Sequence, residues 1–214
     1  LRVMRQMPKS KLPHKYQHEL FCNEVMLLPY YIASMNIEYE YMQLTGEYQP
    51  YEGLAFVDTF ELAEGKQIPL FAPENSLRVK RQKDTPIFVI IGNPPYNAHQ
   101  VNENDNNRNR KYPMLDALVS ETYAKDSEKT NKNALGDMYV KAFRWASNRI
   151  HQEGIVAFVT NNSFLDSLAF DGMRHHFEQD FSAIYHINLK GNARATGEQR
   201  RREAGNVFND MIRV

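Results

Sequence analysis

Residues 88–96 read Phe-Val-Ile-Ile-Gly-Asn-Pro-Pro-Tyr, and this stretch constrains the fold more tightly than any other in the chain. Phe88, Val89, Ile90 and Ile91 lack the apolar–polar alternation of a half-buried strand, so they predict a strand covered on both faces, as in a parallel α/β sheet. Gly92 and Asn93 followed by two prolines make the chain leave that strand abruptly. Asn93, Pro94, Pro95 and Tyr96 therefore stand at a strand's carboxyl end, the edge where open α/β sheets bind ligands. The loop offers a side-chain amide, backbone carbonyls and an aromatic ring. That set suits a planar base carrying an exocyclic amine: the Asn93 side-chain oxygen and the Pro94 carbonyl accept hydrogen bonds from an –NH2 group, while Tyr96 stacks on the ring. A Pro-Pro turn capped by Asn93 fits the same four residues.

Strand and helix patterns alternate along the remainder. Pro29 falls in the first turn of a predicted helix that continues through Ile32, Met35 and Ile37, where the N–H that proline lacks has no intrahelical partner anyway. Leu135, Tyr139, Ala142, Phe143, Ala146 and Ile150 recur at helical spacing, with Gly154 beyond the end; they predict a core stripe bordered by Trp145. Residues 184–189, Ile-Tyr-His-Ile-Asn-Leu, read as a further strand, and Asn161, Asn162 and Ser163 as the polar end of the strand before it. Such alternation implies right-handed crossovers and a mostly parallel α/β sheet with helices on both faces.

Composition bounds this reading. At 214 residues, 42% hydrophobic and 24% charged, the chain suits one soluble domain with a substantial core. A single cysteine, Cys22, excludes an internal disulfide, supplies no metal-ligand cluster, and fits a structural role in a reducing cytosol. The histidines give no metal spacing either: His175 and His176 are adjacent and point to different helix faces, so both read as surface or satisfied polar groups. No apolar run is long enough to span a bilayer, and Pro29 interrupts the one nearest the start. Formal net charge is zero, which gives no overall support to a nucleic-acid partner, although such partners need only a local basic face. Arg194, Arg200, Arg201 and Arg202 supply a local one between Gly191 and Gly205, suited to holding phosphates; a solvated loop part-neutralised by Glu198 and Glu203 accounts for it equally. Residues 97–110, rich in Asn, and the stretch 191–205 read as mobile loops.

Asn-Pro-Pro-Tyr after an apolar strand resembles the catalytic motif of S-adenosylmethionine-dependent amino-methyltransferases, which include the N6-adenine DNA methyltransferases. Further segments are similar in the order typical of the gamma class. His18 to Glu24 with Tyr30 to Glu38 resemble the region after the cofactor's glycine-rich loop, where an acid at a strand end binds the ribose; here that acid is Glu24. Residues 53–60, Gly-Leu-Ala-Phe-Val-Asp-Thr-Phe, resemble the next strand, which makes Asp58 the contact to the cofactor's adenine. Residues 154–165 resemble the strand after the catalytic loop, Asp137-Met138-Tyr139 resembles a position near the pocket, and Gly205-Asn206-Val207-Phe208 resembles the late motif whose aromatic supports a flipped base. The wording is closest to the methyltransferase module of type ISP restriction-modification enzymes, where it is fused to a helicase and a nuclease.

The resemblance implies a Rossmann-like methyltransferase fold, S-adenosylmethionine as cofactor, and double-stranded DNA as partner in the bacterial cytoplasm. Asn93, Pro94, Pro95 and Tyr96 would be catalytic and Glu24, Asp58 and Asn93 would face the cofactor. Tyr96, Phe208, Arg200, Arg201 and Arg202 would hold base and DNA, with no metal. One departure stands out: residues 1–23 contain no glycine, so the glycine-rich cofactor loop is absent from them. Beginning at Leu1 and stopping at Val214, the chain reads as a single partial catalytic domain truncated on its first-strand side and inactive alone. The first strand would be central, so either another segment such as residues 1–7 takes its place or the fragment self-associates. Three other functions share part of the pattern. Protein glutamine-N5 methyltransferases carry the same tetrapeptide, but Phe208 and the restriction-enzyme-like wording speak against them. Cytosine-N4 enzymes more often begin the motif with Ser, so Asn93 favours adenine. A noncatalytic scaffold is the third.

Overall fold

Two pairs of parallel strands organise residues 1–64, 73–95, 111–150 and 152–189, which are the residues the computed structural model describes. The chain forms two units, Leu1–Pro86 and Ile87–Val214. In the first, α1 (Arg2–Gln6) and α2 (Leu12–His18) precede β1 (Cys22–Glu24), α3 (Leu27–Thr45), β2 (Leu54–Phe56) and α4 (Pro73–Asp84). In the second, β3 (Val89–Gly92) leads through α5 (Pro113–Val119), a π turn and a 3-10 turn to α6 (Met138–Arg149). There β4 (Ile155–Phe158), α7 (Ser163–Asp166) and α8 (Asp171–Asp180) follow. Among the described residues no helix is long and apolar enough to cross a membrane.

The helix α3 carries the crossover between β1 and β2. Pro29 sits in its first turn, as the sequence predicts, and Gly46 ends it at φ +82°, a left-handed conformation that costs glycine little. Tyr30, Ala33, Ile37 and Leu44 face a core of Met4, Leu12, Tyr16, Tyr41, Tyr51 and Leu54. The Tyr16 and Tyr41 rings stack with centroids 3.9 Å apart, and the Tyr16 hydroxyl donates to the Gln49 carbonyl at 3.0 Å. Arg5 grips Glu40 through two nitrogens at 2.5 and 2.7 Å, tying α1 to α3. The opposite face of α3 is apolar too: Leu28, Ile32, Met35 and Tyr39 are all at least half exposed. Residues 1–7 thus hold a helix rather than the replacement strand considered from the sequence, because Met4 and Arg5 engage the α3 core and Glu40.

In the second unit the predicted stripe is core: Leu135, Tyr139, Ala142, Ala146 and Ile150 are buried. The helix itself begins at Met138, and Leu135 lies in the 3-10 turn before it. Phe143 bridges strand and helices, its ring 5.0 Å from Phe158, 5.7 Å from Phe164 and 4.9 Å from Phe177. Lys141 pairs with Asp116 at 2.6 Å and Arg144 with Asp180 at 3.0 Å, so each buried cation meets an acid. Asp171 opens α8 by accepting from the Ser127 hydroxyl at 2.5 Å and the Glu128 N–H at 3.0 Å.

Two expectations fail. The β3 run is not covered on both faces: Val89 is 53% and Ile91 67% exposed, while the alternate residues Ile90 and Gly92 are half-buried, with Gly92 close to the Phe158 ring. An unbroken apolar run allows two covered faces, but among the described residues one layer packs on this strand. Residues 184–189 are not paired as a strand among the described residues, and Tyr185 and Ile187 are 91% and 79% exposed. Strand residues without a neighbour to exchange backbone bonds with remain merely extended.

Gly53 locks the start of β2. A methyl there would lie 2.2 Å from the Leu20 carbonyl oxygen and 2.6 Å from the Tyr51 ring, and both are held in place by the Tyr51 hydroxyl donating to that oxygen at 2.9 Å. Gly53→Ala is expected to cost about 2 kcal/mol or more as overpacking. Gly136→Ala, at a position with no neighbouring atom within 4 Å, should change stability by less than about 0.5 kcal/mol. Urea midpoints of the two variants measure this, and equal midpoints would refute the close approach.

Candidate functional site

At the carboxyl edge of the first unit, parallel pairing brings two acids to adjacent strand ends. Register aligns Cys22 with Leu54, Asn23 with Ala55 and Glu24 with Phe56, and the Val57 N–H continues the ladder to the Glu24 carbonyl at 3.0 Å. Glu24 closes β1, and Asp58 lies two residues beyond β2. Each carboxylate is partly committed to the backbone. Glu24 Oε1 accepts from Val25 and Met26 N–H groups, both at 2.8 Å, at the entry to α3. Asp58 Oδ1 accepts from the Phe60 N–H at 3.0 Å. These bonds brace turns and do not cap helices: Val25 and Met26 precede α3, whose N-cap Met26 makes no side-chain cap bond, and Asp58 opens a turn closed by the Glu61 N–H on its own carbonyl at 3.1 Å. They also fix both carboxylates at the edge, and Glu24 Oε2 takes no part in these bonds.

Neighbouring side chains stiffen this edge. Asn23 Nδ2 donates to the Thr59 hydroxyl at 3.2 Å, linking the strand ends, and its buried Oδ1 has no partner among the described residues. Asn75 on α4 does what the sequence gives no direct sign of: its Oδ1 accepts from the Phe56 N–H at 2.8 Å and its Nδ2 donates to the Phe56 carbonyl at 2.9 Å. An amide side chain thereby copies a strand's backbone two residues from Asp58. The only available signal was an asparagine inside a helical pattern, where its propensity is poor. Cys22 in β1 is no nucleophile, because burial pushes its thiol up to about 11 and keeps it protonated at neutral pH.

The second unit presents the tetrapeptide in the same way. Register pairs Val89 with Ile155 through Gly92 with Phe158, and the Val159 N–H donates to the Gly92 carbonyl at 3.0 Å. Asn93 follows immediately, exposed; Pro94 is buried and Pro95 exposed. Beside them the chain leaving β4 is polar, as the sequence predicts: Asn161 Oδ1 accepts from the Ser163 N–H at 2.9 Å. Asn162 meets His186 at 3.3 Å and Asn188 at 3.5 Å. Tyr139, singled out near the pocket, is a core residue at 1% exposure.

The structure therefore places Asn93, Pro94 and Pro95 at a parallel strand's carboxyl end in one unit, and Glu24 and Asp58 at the equivalent edge of the pair in the other. Tyr96, Phe208, Arg200, Arg201 and Arg202, and the loops 97–110 and 191–205, lie outside the described residues. Among the described residues no three His, Cys, Asp or Glu side chains cluster as metal ligands. His175 instead pairs with Gln179 and His176 with Asp126, each at 2.8 Å.

Residues 27–193 match the model of the Eco57I restriction-modification methylase. No curated protein matches. Solved structures do, among them three that match over nearly the whole chain. The chain is 48% identical to DrdV in its complex with DNA, with a TM-score of 0.92, covering 100% of this chain and 21% of that one. It is 40% identical to a nuclease-deletion mutant of the Type ISP restriction-modification enzyme LlaGI bound to a DNA substrate mimic, with a TM-score of 0.90 and coverage of 99% and 18%. It is 42% identical to the ATP-dependent Type ISP restriction-modification enzyme LlaBIII bound to DNA, with a TM-score of 0.87 and coverage of 97% and 14%. The chain thus spans about a fifth or less of these relatives.

The two N–H groups that Glu24 accepts from generate a test that separates scaffold from ligand roles. Glu24→Ala removes the acceptor for two N–H groups and should cost about 1 kcal/mol, whereas Glu24→Gln keeps an oxygen there and should cost a few tenths. Thermal unfolding of both variants reads the difference. If Glu24→Ala unfolds like the wild type, the side chain does not hold the strand–helix junction.

Proposed function

Because the chain belongs to the Eco57I restriction-modification methylase family, we propose that it forms part of the catalytic domain of a site-specific DNA adenine-N6 methyltransferase. Its methyl donor is S-adenosylmethionine, its substrate is duplex DNA, and its place is a bacterial restriction-modification system in the cytoplasm. The observation that carries this reading is Asn93-Pro94-Pro95 leaving a parallel strand's carboxyl end beside the polar exit of β4. Family membership supports methyl transfer, and the relatives solved with DNA support a DNA partner.

The chemistry follows from the amine. Adenine's exocyclic nitrogen is a poor nucleophile because its lone pair is delocalised into the ring. Asn93 and the Pro94 carbonyl accept its two hydrogens and favour a pyramidal nitrogen, so this chain's contribution is orientation and stabilisation of the positive charge that develops there. No covalent nucleophile takes part. S-adenosylmethionine supplies an electrophilic sulfonium methyl when bound. The donor chemistry of the first unit fits it: Glu24 has its Oε2 for ribose hydroxyls, Asp58 accepts from an adenine amine, and both sit at one strand edge.

A duplex hides the target nitrogen, so the base must be flipped out at a cost of a few kcal/mol. Tyr96 stacks on it, Phe208 packs beside it, and Arg200, Arg201 and Arg202 hold phosphates. Asn rather than Ser at position 93 favours adenine over cytosine.

Tritium transfer from the methyl-labelled cofactor to duplex DNA tests the reading in the full native polypeptide. Asn93→Ala should lower turnover more than roughly tenfold, the scale of one lost transition-state hydrogen bond, with little change in DNA affinity. Tyr96→Ala should lower both turnover and 2-aminopurine fluorescence at the target position, while Tyr96→Phe retains most of both because stacking needs the ring. Near wild-type turnover for Asn93→Ala would return the tetrapeptide to a capped turn.

A further inference from the structure

The zero net charge conceals a separation along the chain. Residues 1–18 contain five of the 26 basic residues, Arg2, Arg5, Lys9, Lys11 and Lys15, and none of the 26 acidic ones; the remainder therefore carries a formal −5. Two of these charges, Lys11 and Lys15, lie on α2 with two histidines, away from its buried side. Leu12 and Tyr16 are buried at 1% exposure, while Lys11, His14, Lys15 and His18 recur at spacings of three, four and seven on the other face. The His14 and His18 rings stand 5.0 Å apart. Two of the five cations are spoken for, Arg5 by Glu40 and Lys15 by Glu19, with His14 3.7 Å from Glu19. Arg2, Lys9 and Lys11 are exposed and have no ion-pair partner among the described residues.

We propose that α1, the turn after it and α2 form a cationic strip that binds the sugar–phosphate backbone of duplex DNA, through residues other than the arginines at 200–202. The proposal rests on the DNA reading given above and adds a contact surface that the catalytic loop does not require. An acid-free run of cations in a chain otherwise net acidic has a polyanion as its natural complement. Two of its three unpaired cations are lysines, which act as point charges without the planar fork that reads base edges, and all three are offered to phosphates, so the strip contributes affinity and orientation more than sequence discrimination. The buried apolar side of α2 faces its own core, so it is not available to insert into a lipid surface.

Fluorescence anisotropy of labelled duplexes with the wild-type chain and the R2Q/K9Q/K11Q variant, across 50 to 200 mM salt, tests this. None of the three replaced groups belongs to an ion pair among the described residues, and circular dichroism should show an unchanged fold. The slope of log affinity against log salt should shrink in magnitude by about 2.7, about 0.9 for each of three phosphates, equally for two unrelated sequences. K80Q/K83Q/K125Q, the same change in net charge at exposed lysines elsewhere, should leave the slope as in the wild type. A wild-type slope for R2Q/K9Q/K11Q overturns the strip while the DNA reading stands. An equal loss from both triple variants overturns it as well, since only net charge would matter. If the wild-type chain and the full native polypeptide both fail to bind duplex, the DNA reading falls and the strip with it.

Discussion

Everything at the candidate site depends on strands running the same way. In a parallel pair the carboxyl ends coincide, so residues far apart in sequence arrive at one edge. Glu24 and Asp58 meet there because β1 and β2 are parallel; antiparallel pairing would send them to opposite ends. The same geometry sets Asn93 beside the polar exit of β4. Parallel pairs cannot be closed by a tight turn, which is why long helical connections, α3 in the first unit and α5 with α6 in the second, occupy so much of the chain.

The strands are short, and their registers are reinforced at both ends. Backbone bonds from Cys22 to Gly53 and from Val57 to Glu24 bracket the first pair; bonds from Ile155 to Phe88 and from Val159 to Gly92 bracket the second. Two-stranded pairs of this length are marginal alone, so their stability derives from what packs on them. In the first unit that is the tyrosine cluster of Tyr16, Tyr41 and Tyr51, and in the second it is Phe143 set between Phe158, Phe164 and Phe177. Aromatic packing therefore holds the registers that the polar edge relies on.

The strand–loop of residues 88–95, the Pro29 helix start and the core stripe of α6 were legible in the sequence because each is a local pattern with one physical reading. Parallel connectivity was legible from alternation. Burial of β3 was not, since apolar composition states what a strand tolerates on its faces and not which layers pack on it. The helical state of residues 1–7 was missed because it is decided by contacts 35 residues away, between Arg5 and Glu40. At the site, the acids could be named from resemblance, but Asn75 could not, since its role exists only once α4 lies against β2.

That asparagine has a consequence for how the sheet ends. Because Val57 donates toward β1, the N–H and carbonyl of Phe56 point the other way, to the outer edge of β2. Exposed edges of this kind invite another strand to add and are a common origin of aggregation. Asn75 occupies both Phe56 groups with one side chain, so at that position an incoming strand finds neither donor nor acceptor open. The amide that braces the acid-bearing turn is thus also a plug against edge-to-edge growth, and the strand's finite width is written in a helix.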